Sequence, residues 1–139
     1  MLFKQISIFL ENSTGRIEEV TSVLAKAKIN LRAISIADTR DFGILRVIVD
    51  KNDEALKALG DAGFAFKLSD VAAVEVGDTP GSLLKVLELF REKQINIEYM
   101  YAFLAGKPGI AAVIFKLDDM QRGQKVIEEN NLSMIDKIQ

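Results

Sequence analysis

Residues 15–53 read GRIEEVTSVLAKAKINLRAISIADTRDFGILRVIVDKND, and their pattern recurs in the same register at residues 81–119, GSLLKVLELFREKQINIEYMYAFLAGKPGIAAVIFKLDD. The two stretches share an initial glycine, an Ile-Asn pair, a Gly-Ile pair, a Val-Ile pair and a final aspartate. A match of this length without a gap indicates that one small module has been duplicated and fused. Two equal modules usually bury matching surfaces against each other, and the seam between them is a natural ligand site.

The composition of the 139-residue chain is typical of a soluble globular protein, with 49% hydrophobic and 27% charged residues. The chain has neither cysteine nor histidine, so it lacks thiol nucleophiles, thiolate metal ligands and the commonest general base. Its 20 acidic and 18 basic residues form no basic stripe, which argues against nucleic acid. No apolar run approaches the length of a membrane span, and the N-terminus does not resemble a secretory signal. We therefore expect a cytoplasmic protein without cofactor or metal.

Hydrophobic periodicity predicts the same order of elements, βαββαβ, in both halves. The predicted strands of the first half are residues 3–10, 31–38, 43–50 and 64–68, with helices after Gly15 and at Asn52 or Asp53. The predicted strands of the second half are residues 71–76, 97–104, 110–117 and 132–138, with helices after Gly81 and at Asp118 or Asp119. This order is that of a ferredoxin-like module, with four antiparallel strands and two helices on one face. The sequence thus predicts an α+β protein of two ferredoxin-like modules in tandem, residues 1–69 and 70–139.

The second strand of each half does not reveal which face meets the helices. Ile34 and Ile36 favour one face, whereas Tyr99, Tyr101 and Phe103 occupy the other. Each half alone is near the lower size limit for an independent core, so we expect the halves to support each other.

Two glycine-containing loops join the first strand to the first helix, Asn12-Ser13-Thr14-Gly15 and Asp78-Thr79-Pro80-Gly81. Pro80 suits a first helical turn, and Ser13 and Thr79 are candidate N-caps. The free N–H groups of a helix start can bind a ligand carboxylate. Asp78 can pair with a ligand ammonium, whereas Asn12 can only form a hydrogen bond with it. The loops therefore predict a site for the zwitterion of an amino acid or, as the simpler alternative, helix caps alone.

The run Asp78-Thr79-Pro80-Gly81-Ser82-Leu83, an apolar helix and then Ile95-Asn96-Ile97 resembles an ACT domain. The first half resembles a diverged copy, with Asn12-Ser13-Thr14-Gly15-Arg16-Ile17 and Ile29-Asn30-Leu31. The resemblance covers essentially the whole chain as two ACT modules in tandem. It implies allosteric regulation through an amino acid bound between paired modules. It also implies pairing through the second strands into a continuous sheet, and a homodimer.

The leading hypothesis is accordingly a non-catalytic regulatory protein that senses an amino acid near these loops. The ligand-binding residues expected on this hypothesis are Asn12, Ser13, Thr14, Gly15, Asn30, Asp78, Thr79, Pro80, Gly81, Ser82 and Asn96. Asn30 and Asn96 have two open interpretations: hydrogen bonding to the ligand or across a module interface, or a left-handed residue at a helix end. No converging set of catalytic residues is visible, so we expect no enzyme.

Three alternatives are weaker. One is a ligand-independent interaction subunit of a metabolic enzyme. Another is an acylphosphatase-like enzyme, which needs a phosphate-cradling loop with an arginine, but Arg16 is replaced by Ser82 in the second copy. The third is an RNA-binding module, which needs exposed aromatic residues on its third strand. Residues 43–50 have none, and residues 110–117 have only Phe115.

Overall fold

The computed structural model describes residues 2–38, 40–103 and 107–136, and its fold is α+β. The elements are β1 (Phe3–Glu11), α1 (Arg16–Lys26), β2 (Leu31–Asp38), β3 (Phe42–Val49), α2 (Asn52–Asp61), β4 (Ala65–Gly77), α3 (Ser82–Glu92), β5 (Ile97–Phe103), β6 (Ile110–Leu117) and α4 (Met120–Glu129). The described residues divide into two compact units between Ser69 and Asp70, and residues 2 and 3 belong to the second unit. The predicted order of elements is confirmed from β1 to α4, except that the predicted strands 64–68 and 71–76 form one continuous strand, β4.

The core of the first unit lies between its strands and both of its helices. Strand β3 pairs antiparallel with β1 on one side and β2 on the other. The core-facing residues of β1 alternate along the strand as Ile6, Ile8 and Leu10, and Gln5 and Ser7 on its other face are buried as well. The core-facing side chains pack with the inner stripes of α1 and α2; the fully buried members include Ile6, Ile8, Val20, Leu24, Leu45, Val47 and Leu59.

The second unit repeats this packing around β6, which pairs antiparallel with β4 and β5. The rings of Phe90 in α3 and Phe115 in β6 meet edge to face, with centroids 5.4 Å apart and planes at 69°. Both rings are buried in the core. Phe115 is therefore not available to stack on a base, which removes the aromatic residue on which the RNA-binding alternative depended.

Strands β3 and β6 are the equivalent third strands of the two units. Their structural alignment is shifted by two residues from the ungapped sequence match. Ile6 pairs with Val47, whereas its counterpart Ala72 pairs with Phe115 rather than Val113. The offset arises in the connection between β5 and β6. Because side chains alternate along a strand with a period of two, a shift of two residues keeps every apolar side chain on its original face. The hydrophobic pattern therefore hides the shift.

The last predicted strand, residues 132–138, is wrong over the residues that the structure describes. Met134 forms a single antiparallel bridge with Val74. Two backbone hydrogen bonds flank it: Glu75 N–H donates to Ser133 O, and Ile135 N–H donates to Ala73 O, both at 2.8 Å. The pairing does not extend further in residues 132–136, so no strand forms there. Leu104, Lys137 and Ile138, which the predicted strands also included, lie outside the described residues.

The strand pairing shows which face of β2 lies towards the helices. Cross-strand partners share a face of the sheet, and Ile34 and Ile36 pair with the core residues Val47 and Leu45. They therefore lie on the helix side, yet they stay 47% and 49% exposed on this edge strand. In β5, Tyr99 and Tyr101 pair with Lys116 and Ile114 and lie on the opposite face, away from the helices. None of the helices in the described ranges is long and apolar enough to cross a membrane.

Candidate functional site

Both loops fold as the same tight turn directly before a helix. Residues 13–16 and 79–82 each close with a backbone hydrogen bond, from the fourth N–H to the first carbonyl, at 3.4 and 3.2 Å. The third residue is Gly15 with φ 86° and ψ −5°, or Gly81 with φ 82° and ψ −4°. These angles define a type II turn, which favours glycine at this position. The glycine before each helix is thus required by the turn.

The predicted caps of α1 and α3 are wrong, whereas Asp119 caps α4, where its side chain accepts from Arg122 N–H. Gly15 and Gly81 are the N-caps, and neither helix start receives a side-chain cap, so Ser13 and Thr79 do not play this role. Pro80 lies in the second position of the turn, before the helix, where its fixed φ is favoured. The N–H groups that begin α3 therefore have no capping side chain and can bind a ligand carboxylate.

Asn12 and Asp78, which precede the two turns, differ in the contacts of their side chains. Asn12 N–H donates to Asp41 O at 3.0 Å, and its side-chain amide donates to Arg40 O at 3.4 Å. Asp78 N–H makes the equivalent backbone bond, to Gly109 O at 2.9 Å. The exposed carboxylate of Asp78 has no hydrogen-bond or ion-pair partner among the described residues. It can form an ion pair with an ammonium group, whereas Asn12 offers only the neutral oxygen of its amide.

Two side-chain contacts support the second loop. The hydroxyls of Thr79 and Ser82 are hydrogen-bonded to each other across the turn. Beside the turn, Lys107 Nζ lies 2.8 Å from Glu75 Oε1, which fastens the connection before β6 to β4. The carbonyl that accepts from the second loop belongs to this same connection, at Gly109. The loop is therefore held from within and from its neighbour.

In the first loop, Arg16 takes the place of Ser82. Its Nη1 donates to Glu19, and its guanidinium lies 5.3 Å from the centroid of the Phe64 ring. The acylphosphatase-like alternative needs an arginine directed at a phosphate, whereas this side chain is engaged by a carboxylate and an aromatic face.

Asn30 and Asn96 tie the end of a helix to the end of a strand. Asn30 N–H donates to Asp50 Oδ1 at 3.0 Å, and Asp50 N–H donates back to Asn30 O at 3.2 Å. Asn96 and Asp118 repeat this exchange at 3.1 and 3.0 Å. The sequence did not reveal these aspartates because the two-residue offset places Asp50 opposite a lysine in the ungapped match.

The left-handed residues at these helix ends are Lys28 and Gln94, two positions before the asparagines. The helix-end interpretation of Asn30 and Asn96 is therefore wrong. Both side chains are exposed, and Asn96 lines a groove of about 420 Å³ at the end of α3. A second groove, of about 500 Å³, begins at Gly15 and runs along α1.

The family model of the ACT domain pair matches residues 1–139. The chain belongs to the ACT domain pair family. No curated protein matches it. A Bacteroides thetaiotaomicron protein of known structure is 44% identical, with a TM-score of 0.91 and coverage of 97% of this chain and 92% of that chain.

Two more distant structures share the fold of this ACT domain pair. The ligand-free regulatory subunit of aspartate kinase from Thermus thermophilus is 20% identical, with a TM-score of 0.65 and coverage of 92% and 93% of the two chains. The regulatory subunit of aspartate kinase from Thermus flavus is 19% identical, with a TM-score of 0.64 and coverage of 90% and 88%. The predicted ferredoxin-like fold in tandem is thereby confirmed.

The predicted site residues of the ACT domain pair fall into two groups. Residues 12–15 and Asn30 lie in the first unit, and residues 78–82 and Asn96 lie in the second. Within the described ranges, no three side chains of Asp, Glu, His or Cys cluster in a way that could hold a metal ion. The chemistry available at the second loop is thus a free carboxylate, two hydroxyls and uncapped backbone N–H groups.

Proposed function

We propose that this ACT domain pair is a non-catalytic regulatory protein that binds an amino acid at its second loop. The free carboxylate of Asp78, one turn away from the uncapped start of α3, is the observation that carries the proposal. The two groups have opposite polarity and match the two ends of a zwitterion.

In the proposed complex, the ligand carboxylate accepts hydrogen bonds from backbone N–H groups at the start of α3. The ligand ammonium pairs with Asp78, and its side chain extends away from the turn. Gly81 matters because no side chain stands between the ligand and the backbone at the closest approach. The hydroxyls of Thr79 and Ser82 keep the turn in the conformation that presents these groups.

The regulated partner is proposed from the solved relatives. The two Thermus structures that share the fold are named as regulatory subunits of aspartate kinase, and we propose a metabolic enzyme as the partner of this chain. We also propose a homodimer that pairs through β2, whose Ile34 and Ile36 are exposed on the helix side of an edge strand. An open edge with apolar side chains is a template for pairing with another chain.

A thermal-shift screen against each of the twenty L-amino acids tests the proposal. A ligand that binds only the folded state raises its stability by about 2.7 kcal/mol at a hundredfold excess over Kd. We expect one amino acid, or a chemically related group, to raise the melting temperature of the wild type and to have a smaller effect on Asp78→Asn. If no amino acid shifts the wild type, or if Asp78→Asn responds as the wild type does, the proposed function is wrong.

The alternative of a ligand-independent interaction subunit rests on a different observation. Phe9 and Phe42 are 45% and 61% exposed in the first unit, although both are large apolar side chains in strands. Such residues favour contact with another protein. A screen without any ligand-induced shift, together with a stable complex between the chain and an enzyme, would favour this alternative.

A further inference from the structure

A groove of about 420 Å³ lies in the second unit, where α3 ends and β5 begins. The apolar part of its lining consists of Leu87, Phe90, Ile95 and Ile97. Phe90 and Ile95 are buried in the core of the unit, and Leu87 and Ile97 pack against that core. Proteins bind small molecules in pockets of about 300–1,000 Å³ with mainly apolar walls. This part of the groove therefore suits the apolar body of a small ligand.

Three polar residues complete the lining: Arg91, Gln94 and Asn96. All three are exposed, and their side chains have no hydrogen-bond or ion-pair partner among the described residues. Of the described residues that line the groove, only Arg91 is charged. A guanidinium presents its N–H donors in a planar fork that matches the two oxygens of a carboxylate. The polar side of the groove therefore suits an anion.

The end of α3 does not use the donors of Arg91. An arginine in the last turn of a helix can bond to its last carbonyls, but here the carbonyls of residues 89–91 accept from the backbone N–H groups of residues 93–95 at 2.9–3.3 Å. The next carbonyl, Lys93 O, accepts from Arg122 Nη2. The helix end carries only about half a negative charge, so the full positive charge of Arg91 exceeds it. The guanidinium is therefore available to a ligand anion.

The first unit does not repeat this arrangement. The sequence match that relates α1 to α3 places Thr21 at the position of Leu87, and Ala25 at the position of Arg91. Ala25 offers neither a charge nor a donor. The duplicated fold thus forms without an arginine at the end of this helix, and structure alone does not explain Arg91.

We propose that the groove at the end of α3 binds a small carboxylate with an apolar body, whose carboxylate is held by Arg91. The ligand has no ammonium group next to its carboxylate, because such a group would meet the Arg91 guanidinium and no carboxylate among the described lining residues. A short fatty acid and a 2-oxo acid share this chemistry. The groove is separate from the amino-acid site proposed at the second loop, and neither proposal depends on the other.

Calorimetric titration of the full chain with 4-methylpentanoate tests this proposal. The matched probe without charge is 4-methylpentan-1-ol, and we expect it to bind at least about tenfold more weakly, because it loses the charged hydrogen bonds. Butanoate should bind more weakly by about fourfold for each buried CH₂ that it lacks. Titration with 4-methyl-2-oxopentanoate distinguishes the two sources, since the tighter of the two acids identifies the ligand as a fatty acid or a 2-oxo acid.

Variants of Arg91 test the role of the guanidinium. Arg91→Ala should weaken the binding of 4-methylpentanoate roughly tenfold to a hundredfold. Arg91→Lys should bind more tightly than Arg91→Ala but less tightly than the wild type, because lysine keeps the charge at the helix end and loses the fork. The matched control is Lys26→Ala, which removes the basic residue from the last turn of α1 and should leave affinity unchanged. Circular dichroism melts establish that each variant is folded before titration.

Amide correlation spectra of the labelled chain locate the probe. We expect 4-methylpentanoate to shift the signals of residues 87–97, and L-leucine, which has the same skeleton with an added ammonium group, to shift them less. The proposal is wrong if 4-methylpentanoate does not bind, if the alcohol binds as tightly, or if Arg91→Ala binds as the wild type does. Equal shifts with L-leucine would also reject it, because the groove would then accept amino acids. Shifts confined to residues 78–83 would place the probe at the second loop and overturn this proposal alone.

Discussion

In the first unit the residue before the turn is bound to the adjacent connection through its side chain, whereas in the second unit only its backbone is bound. The turn, its glycine and the helix that follows are otherwise the same. On the proposed function, the two loops therefore differ in the group that they offer to a ligand ammonium: a carboxylate at Asp78 and a neutral amide oxygen at Asn12.

The largest difference in stability between equivalent substitutions in the two units is expected in their second helices, α2 and α4. A Cβ at Gly123 of α4 would overlap Cδ1 of Leu117, which is fully buried. A Cβ at Gly60 of α2 would meet nothing closer than 3.9 Å. We expect Gly123→Ala to lower the free energy of unfolding by about 1–3 kcal/mol through overpacking. Gly60→Ala should raise it by up to about 1 kcal/mol, through helix propensity.

Chemical denaturation of the two alanine variants measures this contrast. Because the substitutions are identical and both residues are helical, propensity acts on both, and the difference reports packing. Equal effects at the two positions would mean that Leu117 moves aside without cost, and the close approach of α4 to β6 would then not constrain the sequence.

The next effect concerns the two turn glycines. Gly15 and Gly81 both have positive φ, and a Cβ at either would meet nothing within 4 Å. Valine is strained in this conformation, by about 1–3 kcal/mol, so Gly15→Val and Gly81→Val should lower the melting temperature by similar amounts. Only Gly81→Val should abolish amino-acid binding in titration, because only there does the side chain obstruct a ligand. Loss of binding in Gly15→Val as well would show that the first turn also contacts the ligand.

The order of the elements up to α4 and the core faces of the helices and of β1 could be predicted from the sequence because they depend on local periodicity. Other features depend on contacts between residues far apart in the chain, and these were missed. The two-residue offset between β3 and β6 could not be detected, because it leaves the alternation of apolar residues unchanged. The pairing of Asn30 with Asp50 was missed for the same reason. The caps of α1 and α3 were misassigned because the left-handed Gly15 and Gly81 close a turn and cap a helix at once.

The two candidate loops could be recognised in the sequence, but not the contacts around them. The difference in charge between Asn12 and Asp78 predicts which loop binds an ammonium more strongly. The Lys107–Glu75 ion pair beside the second loop could not be predicted, because its two members are separated by α3 and β5. No local pattern connects them.

The charge difference itself gives the third prediction. Asp78→Asn keeps the shape of the side chain and removes its charge, so affinity should fall roughly tenfold to a hundredfold. Asn12→Ala should leave affinity unchanged and reduce stability by about 0.5 kcal/mol, the low end for a neutral, exposed hydrogen bond. Titration at low and high salt should show that added salt weakens amino-acid binding by the wild type more than binding by Asp78→Asn. If Asn12→Ala loses more affinity than Asp78→Asn, the assignment of the two loops is reversed.

The smallest expected change in affinity tests whether the Lys107–Glu75 ion pair stabilises the conformation of the second loop or has no effect on it. An exposed ion pair contributes about 0.2–1 kcal/mol, so Lys107→Met should weaken amino-acid binding by no more than about fivefold. The matched control is Lys57→Met, which removes the 3.2 Å pair with Asp61 on α2, away from both loops. Both variants should lose similar, small amounts of stability, and only Lys107→Met should lose affinity. A double-mutant cycle with Glu75→Gln then isolates the pair from the individual side chains. Equal affinities for the Lys57 and Lys107 variants would mean that the second loop keeps its conformation without the ion pair, and the contrast between the two units would reduce to the charge of Asp78.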